Sequence, residues 1–134
     1  MKKFSHFIIT VFSVLAILLQ GCNKTPEDDS CIGFLDAPVI KVAGPKTAAV
    51  NQPVSLAVYF TCYNGCGQFG NYEPSINGNT STIKVKAKYQ GCICTQVILT
   101  QQNTYVFKSA QPGIFYLKFL QSPNTYLTDT ITVQ

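Results

Sequence analysis

Six cysteines dominate the chemistry open to this chain of 134 residues, at positions 22, 31, 62, 66, 92 and 94. Cys62 and Cys66 form a Cys-x3-Cys pair, and Cys92 and Cys94 a Cys-x-Cys pair. Thiols so grouped either oxidise to disulfides or, as thiolates, hold a tetrahedral ion such as zinc. Four sulfurs would suffice for zinc, but the spacings differ from the usual Cys-x2-Cys knuckle, and an oxidising compartment would consume the thiols first. A second group is Lys84, Lys86 and Lys88, alternating along one stretch. On a strand they share a face: either a solvated, edge-guarding one or a positive stripe for phosphate- or sulfate-bearing glycans or lipopolysaccharide.

The remaining chemistry is sparse. His6 is the one histidine, and there is no Arg and no Trp. Once the leader described below is removed, Ser-His and Cys-His nucleophile pairs, imidazole ligands and the commonest general base are gone. Outside Glu27-Asp28-Asp29 the carboxylates are Asp36, Glu73 and Asp129, none close in sequence, so no acid–base pair stands out. The expectation is a protein that is not an enzyme and has no cofactor and no metal. Eight of the ten lysines outlast the leader against six acids, a mild positive balance without a nucleic-acid motif, so nucleic acid is not an expected partner.

Met1-Lys2-Lys3 opens a leader whose apolar core runs over residues 7–19, interrupted by Thr10 and Ser13. That core is shorter than the roughly 18 apolar residues a spanning helix needs, and a basic flank before it marks a secretory signal. Leu19-Gln20-Gly21-Cys22 resembles the lipobox of bacterial lipoproteins. The resemblance implies diacylglycerol on the Cys22 thiol, cleavage between Gly21 and Cys22, and acylation, typically by palmitate, of the new amino terminus. Several chains together would hold the protein on a membrane where one would bind reversibly. Residues 23–30 carry no apolar side chain and read as a solvated tether. Their acidic triplet resembles the surface-export signal of Bacteroidota lipoproteins, which implies the outer face of the outer membrane, with a periplasm-facing position as the alternative.

The elements that must position these groups are strands. Val54, Leu56, Val58 and Phe60 alternate with smaller or polar residues, and Ile83, Val85, Ala87 and Tyr89 alternate with the lysines. Further β-rich stretches are expected at residues 38–42, 68–72, 92–99, 105–107, 114–120 and 127–133, with turns at Asn64-Gly65, Asn77-Gly78, Pro112-Gly113 and Pro123-Asn124. No window after residue 22 has capped helical periodicity. About seven strands in one domain imply an all-β sandwich, expected over residues 38–134, behind a leader at 1–21 and a lipidated tether at 22–37. The succession of Val-x-Leu-x-Val-x-Phe-x-Cys, Pro-Gly-x-Phe-Tyr-Leu-x-Phe and a terminal Thr-Ile-Thr-Val resembles bacterial immunoglobulin-like domains. It implies a Greek-key sandwich.

With Cys22 lipidated, five thiols remain, and two bridges among five can be drawn in several ways. Cys92 and Cys94 would face one side of a strand and so reach elsewhere rather than to each other. An immunoglobulin-like order brings that segment near residues 62–66. Two bridges joining Cys62 and Cys66 to Cys92 and Cys94 are therefore expected, with Cys31 as the odd thiol. The functional expectation is a membrane-anchored binding or adhesion module that meets a glycan, host or envelope protein through loops 63–73 and 121–126. Tyr63, Phe69, Tyr72 and the three lysines are the candidate contacts. The alternatives are a structural subunit of an envelope or uptake complex, a metal protein built on the four thiolates of Cys62, Cys66, Cys92 and Cys94, or an inhibitor resembling sandwich-type cysteine-protease inhibitors. Asp129-Thr130-Ile131 also resembles an O-glycosylation acceptor of Bacteroidota exported proteins.

Overall fold

The computed structural model describes residues 31–134; the leader, Cys22 and the acidic triplet lie outside them. Among the described residues nine strands form two sheets: β1 (Ile32–Ala37), β2 (Val39–Ala43), β3 (Thr47–Ala48), β4 (Val54–Cys62), β5 (Gly67–Asn77), β6 (Thr80–Gln90), β7 (Leu99–Phe107), β8 (Gly113–Ser122) and β9 (Thr125–Val133). The smaller sheet has the order β2-β4-β7, all antiparallel. The larger holds β5, β6, β8, β9 and β3, with β1 also on β6.

Period-two patterning builds the interior. Leu56, Val58 and Phe60 from β4 face Ile83, Val85 and Ala87 from β6, together with Leu117, Phe119 and Ile131, all fully buried. Burying a side chain of this size contributes roughly 1.5–3 kcal/mol, so these two facing rows supply most of the driving force. A chain of rings joins the sheets: Phe60–Phe69 at 6.0 Å, Phe69–Tyr72 at 4.8 Å, Tyr72–Tyr105 at 5.0 Å and Tyr105–Phe119 at 5.7 Å between centroids. The last two are edge-on, the arrangement the ring quadrupole favours.

Several boundaries differ from the sequence-based expectation. Residues 32–37, expected to belong to a tether, are instead strand β1, which pairs antiparallel with β6 from Ile32↔Gln90 to Ala37↔Val85. Ile32, Phe34 and Leu35 are the apolar content of that strand. The turn expected at Asn77-Gly78 falls at Gly78-Asn79, with Gly78 at φ 57°, and Pro74 sits on the edge strand β5, where its missing N–H is tolerated. Residues 91–98 are not a strand; pairing to β4 begins at Leu99 and ends at Phe107, so the strand expected at residues 105–107 is the end of a longer one. The lysine strand β6 is central, flanked by β5 on one side and by β1 and β8 on the other, so it guards no edge.

Candidate functional site

One edge of β6 is shared by two strands, and the fork between them makes a cleft. β8 runs parallel to β6 from Thr80↔Tyr116 to Ile83↔Phe119, and then β1 takes over antiparallel at Ala37↔Val85. Lys84 stands at the changeover. Pro38 then ends the β1 pairing. It has no N–H to give a sheet, and its carbonyl accepts from Thr61 N–H at 3.0 Å, which carries the chain across to the smaller sheet at Val39↔Phe60. On the other flank β8 bends away into a tight hairpin. Ser122 pairs with Thr125 around Pro123 and Asn124, whose φ of 64° suits the second central position of a type II turn.

The resulting cleft encloses about 460 Å³ between Asp36, Pro38, Tyr63, Lys84 and the β8–β9 hairpin from Leu120 to Tyr126. That volume suits a small ligand or one or two units of a polymer. Tyr63 and Tyr126 are 51% and 38% exposed, so each offers a ring face to solvent at the cleft. Two of the loop regions expected to bind, residues 63–73 and 121–126, thus meet here. Asp36 and Pro38 lie outside those loops, and Tyr126, inside one of them, is not among the contacts named from sequence. The Pro-Asn turn is the one local signal for the hairpin.

Of the other sequence-derived contacts, Lys84 also lines the cleft and the rest go elsewhere. Phe69 and Tyr72 are corrected from loop aromatics to β5 residues packed against the core. The Tyr72 hydroxyl is buried without a hydrogen-bond partner among the described residues, and burial pushes its pKa far up. The lysines are not a free positive stripe. Lys86 pairs directly with Asp36 and lies 3.7 Å from Glu73, and Lys84 lies 3.7 Å from Asp36. Hydrogen bonding from Lys86 holds the Asp36 carboxyl below its ordinary value, and Asp36 in turn raises Lys86. Lys88, half-exposed, stands opposite Phe34 on β1. β6 therefore brings Asp36 and Glu73 to one ammonium, but a carboxyl with a lowered pKa is a poor proton donor near neutral pH.

The cysteine assignment is corrected as well. Cys31 bridges Cys92, with Cα atoms 5.0 Å apart, and Cys66 bridges Cys94 at 5.5 Å. Among the described residues the free thiol is Cys62, not Cys31. Cys62 closes the inward row of β4 and is fully buried, so it belongs to the core, where burial raises its pKa. Close beside it, Tyr89 accepts a hydrogen bond at its hydroxyl from Tyr63 N–H at 2.9 Å. Cys31 instead lies across from residue 91, whose N–H donates to its carbonyl at 3.1 Å. The four-thiolate arrangement of Cys62, Cys66, Cys92 and Cys94 is not formed, since three of its sulfurs are in disulfides and the fourth is in the core.

Asp129 is a buried carboxylate on the inward row of β9, paired with Lys46 and accepting from Thr130 N–H at 2.9 Å. It fastens the short β3 region to β9, where Thr132 N–H also donates to the Lys46 carbonyl at 2.8 Å.

Residues 56–133 match the model of the ORF11 β-sandwich domain family. The chain belongs to that family. The match begins inside β4 and runs to the end of β9, so it covers parts of both sheets, without β1, β2 and β3, together with the hairpin side of the cleft and three of the four bridging cysteines. Cys31, Asp36 and Pro38 precede it. No curated protein and no solved structure matches the chain.

Proposed function

We propose that this ORF11-type sandwich is the displayed part of a lipid-anchored outer-membrane protein. It acts without catalysis, as a binding or adhesion module whose ligand occupies the cleft between Tyr63 and Tyr126. The single observation that carries the binding site is the cleft itself. Two exposed rings, an ion-paired lysine and carboxylate, and the amides of Gln121 and Asn124 converge on a space of about 460 Å³. Aromatic faces with amide and charged groups beside them match the mixed character of a sugar, with its apolar ring face and hydroxyl rim. Glycan chains on a host or neighbouring cell are thus the proposed partner class.

Support for the anchor comes from the Leu-Gln-Gly-Cys run. The acidic triplet after Cys22 supports the outer face. Support for a non-catalytic role comes from the placement of the carboxylates: Asp36 and Glu73 are engaged by lysines, and Asp129 by Lys46.

A glycan array read with the mature protein and with Tyr63→Ala and Tyr126→Ala variants tests the site. Binding that either substitution weakens at least tenfold supports it; binding that both variants retain in full places the ligand elsewhere. Protease treatment of intact cells tests display: a domain that survives on intact cells but is cut after lysis faces inward.

A further inference from the structure

We propose that the disulfide-stapled segment 91–98 docks on the lipid surface, as a second, non-covalent membrane contact beside the acylated Cys22. This rests on the lipid-anchor reading above. Between Lys88 and Lys108 the chain has no Asp, Glu, Lys or Arg. Within that uncharged stretch Ile93 is 98% exposed, Ile98 72% and Val97 45%. Apolar side chains so placed normally fold inward; here the backbone is held out. Cys92 is tied to Cys31, Cys94 to Cys66, and the Thr95 carbonyl accepts from Gly65 N–H at 2.9 Å. The segment is therefore an apolar projection fixed in position before it meets anything, which lowers the ordering cost of docking.

Its place relative to the anchor names the occupant. The Cys31–Cys92 bridge fastens segment 91–98 to the residue at which the tether joins the domain, with Cα atoms 5.0 Å apart. Nine peptide links separate Cys22 from Cys31, a reach of at most about 30 Å when fully extended. The first turn of the domain that a membrane-held tether can bring to the bilayer is thus the one carrying Ile93, and the start of β1 adds Ile32 and Phe34 at the same end. The opposite end of the sheet, at the Gly78 turn, lies roughly ten residues along β6, about 33 Å away at strand rise. Residues with an exposed apolar surface but no charge settle at the headgroup–acyl boundary. Docking there would fix the tilt of the domain and so the direction in which the cleft opens.

The chain has no tryptophan, so a single one reports unambiguously. Ile93→Trp tests the docking end, and Ile76→Trp, 72% exposed near the Gly78 turn, is the control. Both are solvent-exposed positions whose substitution leaves the core untouched. Each variant, purified from membranes and shown by intact mass to carry its acyl chains, is reconstituted in phosphatidylethanolamine–phosphatidylglycerol vesicles with and without tail-brominated phosphatidylcholine. The expected result is blue-shifted emission at position 93 that brominated lipid quenches at least twofold more than emission at position 76. Acylated protein whose two tryptophans emit and quench alike overturns the docking and leaves the anchor intact. Protein without acyl chains that leaves the membrane fraction overturns both.

Discussion

Exchanging the roles of Cys31 and Cys62 has an energetic consequence large enough to measure. For loops of 61 and 28 residues, the chain-entropy relation gives about 4.3 and about 3.6 kcal/mol of stabilisation for the two bridges at 25 °C. The loops interleave, since Cys66 lies between Cys31 and Cys92, while Cys94 lies beyond Cys92. With the Cys66–Cys94 bridge intact, the shortest path closed by Cys31–Cys92 is roughly 37 residues, and the stabilisation lost with that bridge falls to about 3.8 kcal/mol. A Cys31→Ser/Cys92→Ser double variant, which leaves neither partner of that bridge as an orphan thiol, is therefore expected to lose about 4 kcal/mol. Cys62→Ala removes one buried sulfur from the β4 row and should lose only about 1 kcal/mol, on the scale of one deleted methyl group. Urea unfolding of the mature, unreduced protein measures both. Alkylation adds an independent readout: Cys62 should react only after unfolding, and native protein should take up no label. Labelling of Cys31 in the native state, or a Cys62→Ala loss equal to that of the double variant, would refute the assignment and restore the pairing expected from sequence.

Three further outcomes follow from single contacts. Tyr72→Phe removes a buried hydroxyl without a partner among the described residues and keeps the ring stack, so thermal unfolding should show equal or higher stability, by up to about 1 kcal/mol. Gly67→Ala would place a methyl 2.5 Å from the Cys62 Cβ, 2.8 Å from the Tyr89 ring and 2.9 Å from the Cys62 Sγ, costing about 1–3 kcal/mol; adding Cys62→Ala removes the sulfur contact but keeps the Cβ one, so it should recover only a minor part of the loss, and a double-mutant cycle reads the coupling. Asp36→Asn should cost at most about 1 kcal/mol at pH 7, because the pair is partly solvated. The Asp36 carboxyl has a lowered pKa in the folded state, so its contribution is present above the ordinary carboxylate range and is lost as pH falls through the lowered value. Wild type and variant should therefore converge in urea midpoint below about pH 4.

Periodicity carries most of what the sequence reveals. The inward rows of β4 and β6 are legible because one face is core and the other is not, and the hairpin turns are legible from Asn-Gly and Pro-Asn chemistry. Four features stay hidden. β1 reads as tether because a six-residue strand containing Gly33 and Asp36 has no clean alternation; its pairing partner, not its composition, makes it a strand. Residues 92–99 read as a strand because Cys, Ile, Val and Leu are β-formers, yet two disulfides hold that segment off the sheet. The lysines read as an exposed stripe because Asp36 and Glu73 lie 48 and 11 positions from Lys84 in sequence, and only the sheet brings them alongside. The odd thiol escapes assignment because cysteines 62 and 66 are close in sequence, although Cys62 points inward while Cys66 lies past the strand end.

The cleft depends on the same non-local logic. A strand edge has one row of donors and acceptors, so β1 and β8 cannot both run the full length of β6. They divide it at Lys84, and each must leave the β6 edge where the other begins. β1 leaves through Pro38, whose ring removes the N–H that would otherwise seek a partner there; β8 leaves β6 after Phe119 and continues on β9 to the Pro123-Asn124 turn. Two departing strands on one edge necessarily open a gap, and its floor is the residue at the changeover, which explains why an ion-paired lysine lies at the base of a cleft walled by prolines and tyrosines. The walls are turn and terminal residues that carry little of the core, so they can vary without unfolding the sandwich. A ligand preference written at Tyr63, Asn124 and Tyr126 is then separable from stability, whereas Ile83, Val85 and Phe119, immediately behind the floor, are not open to such change.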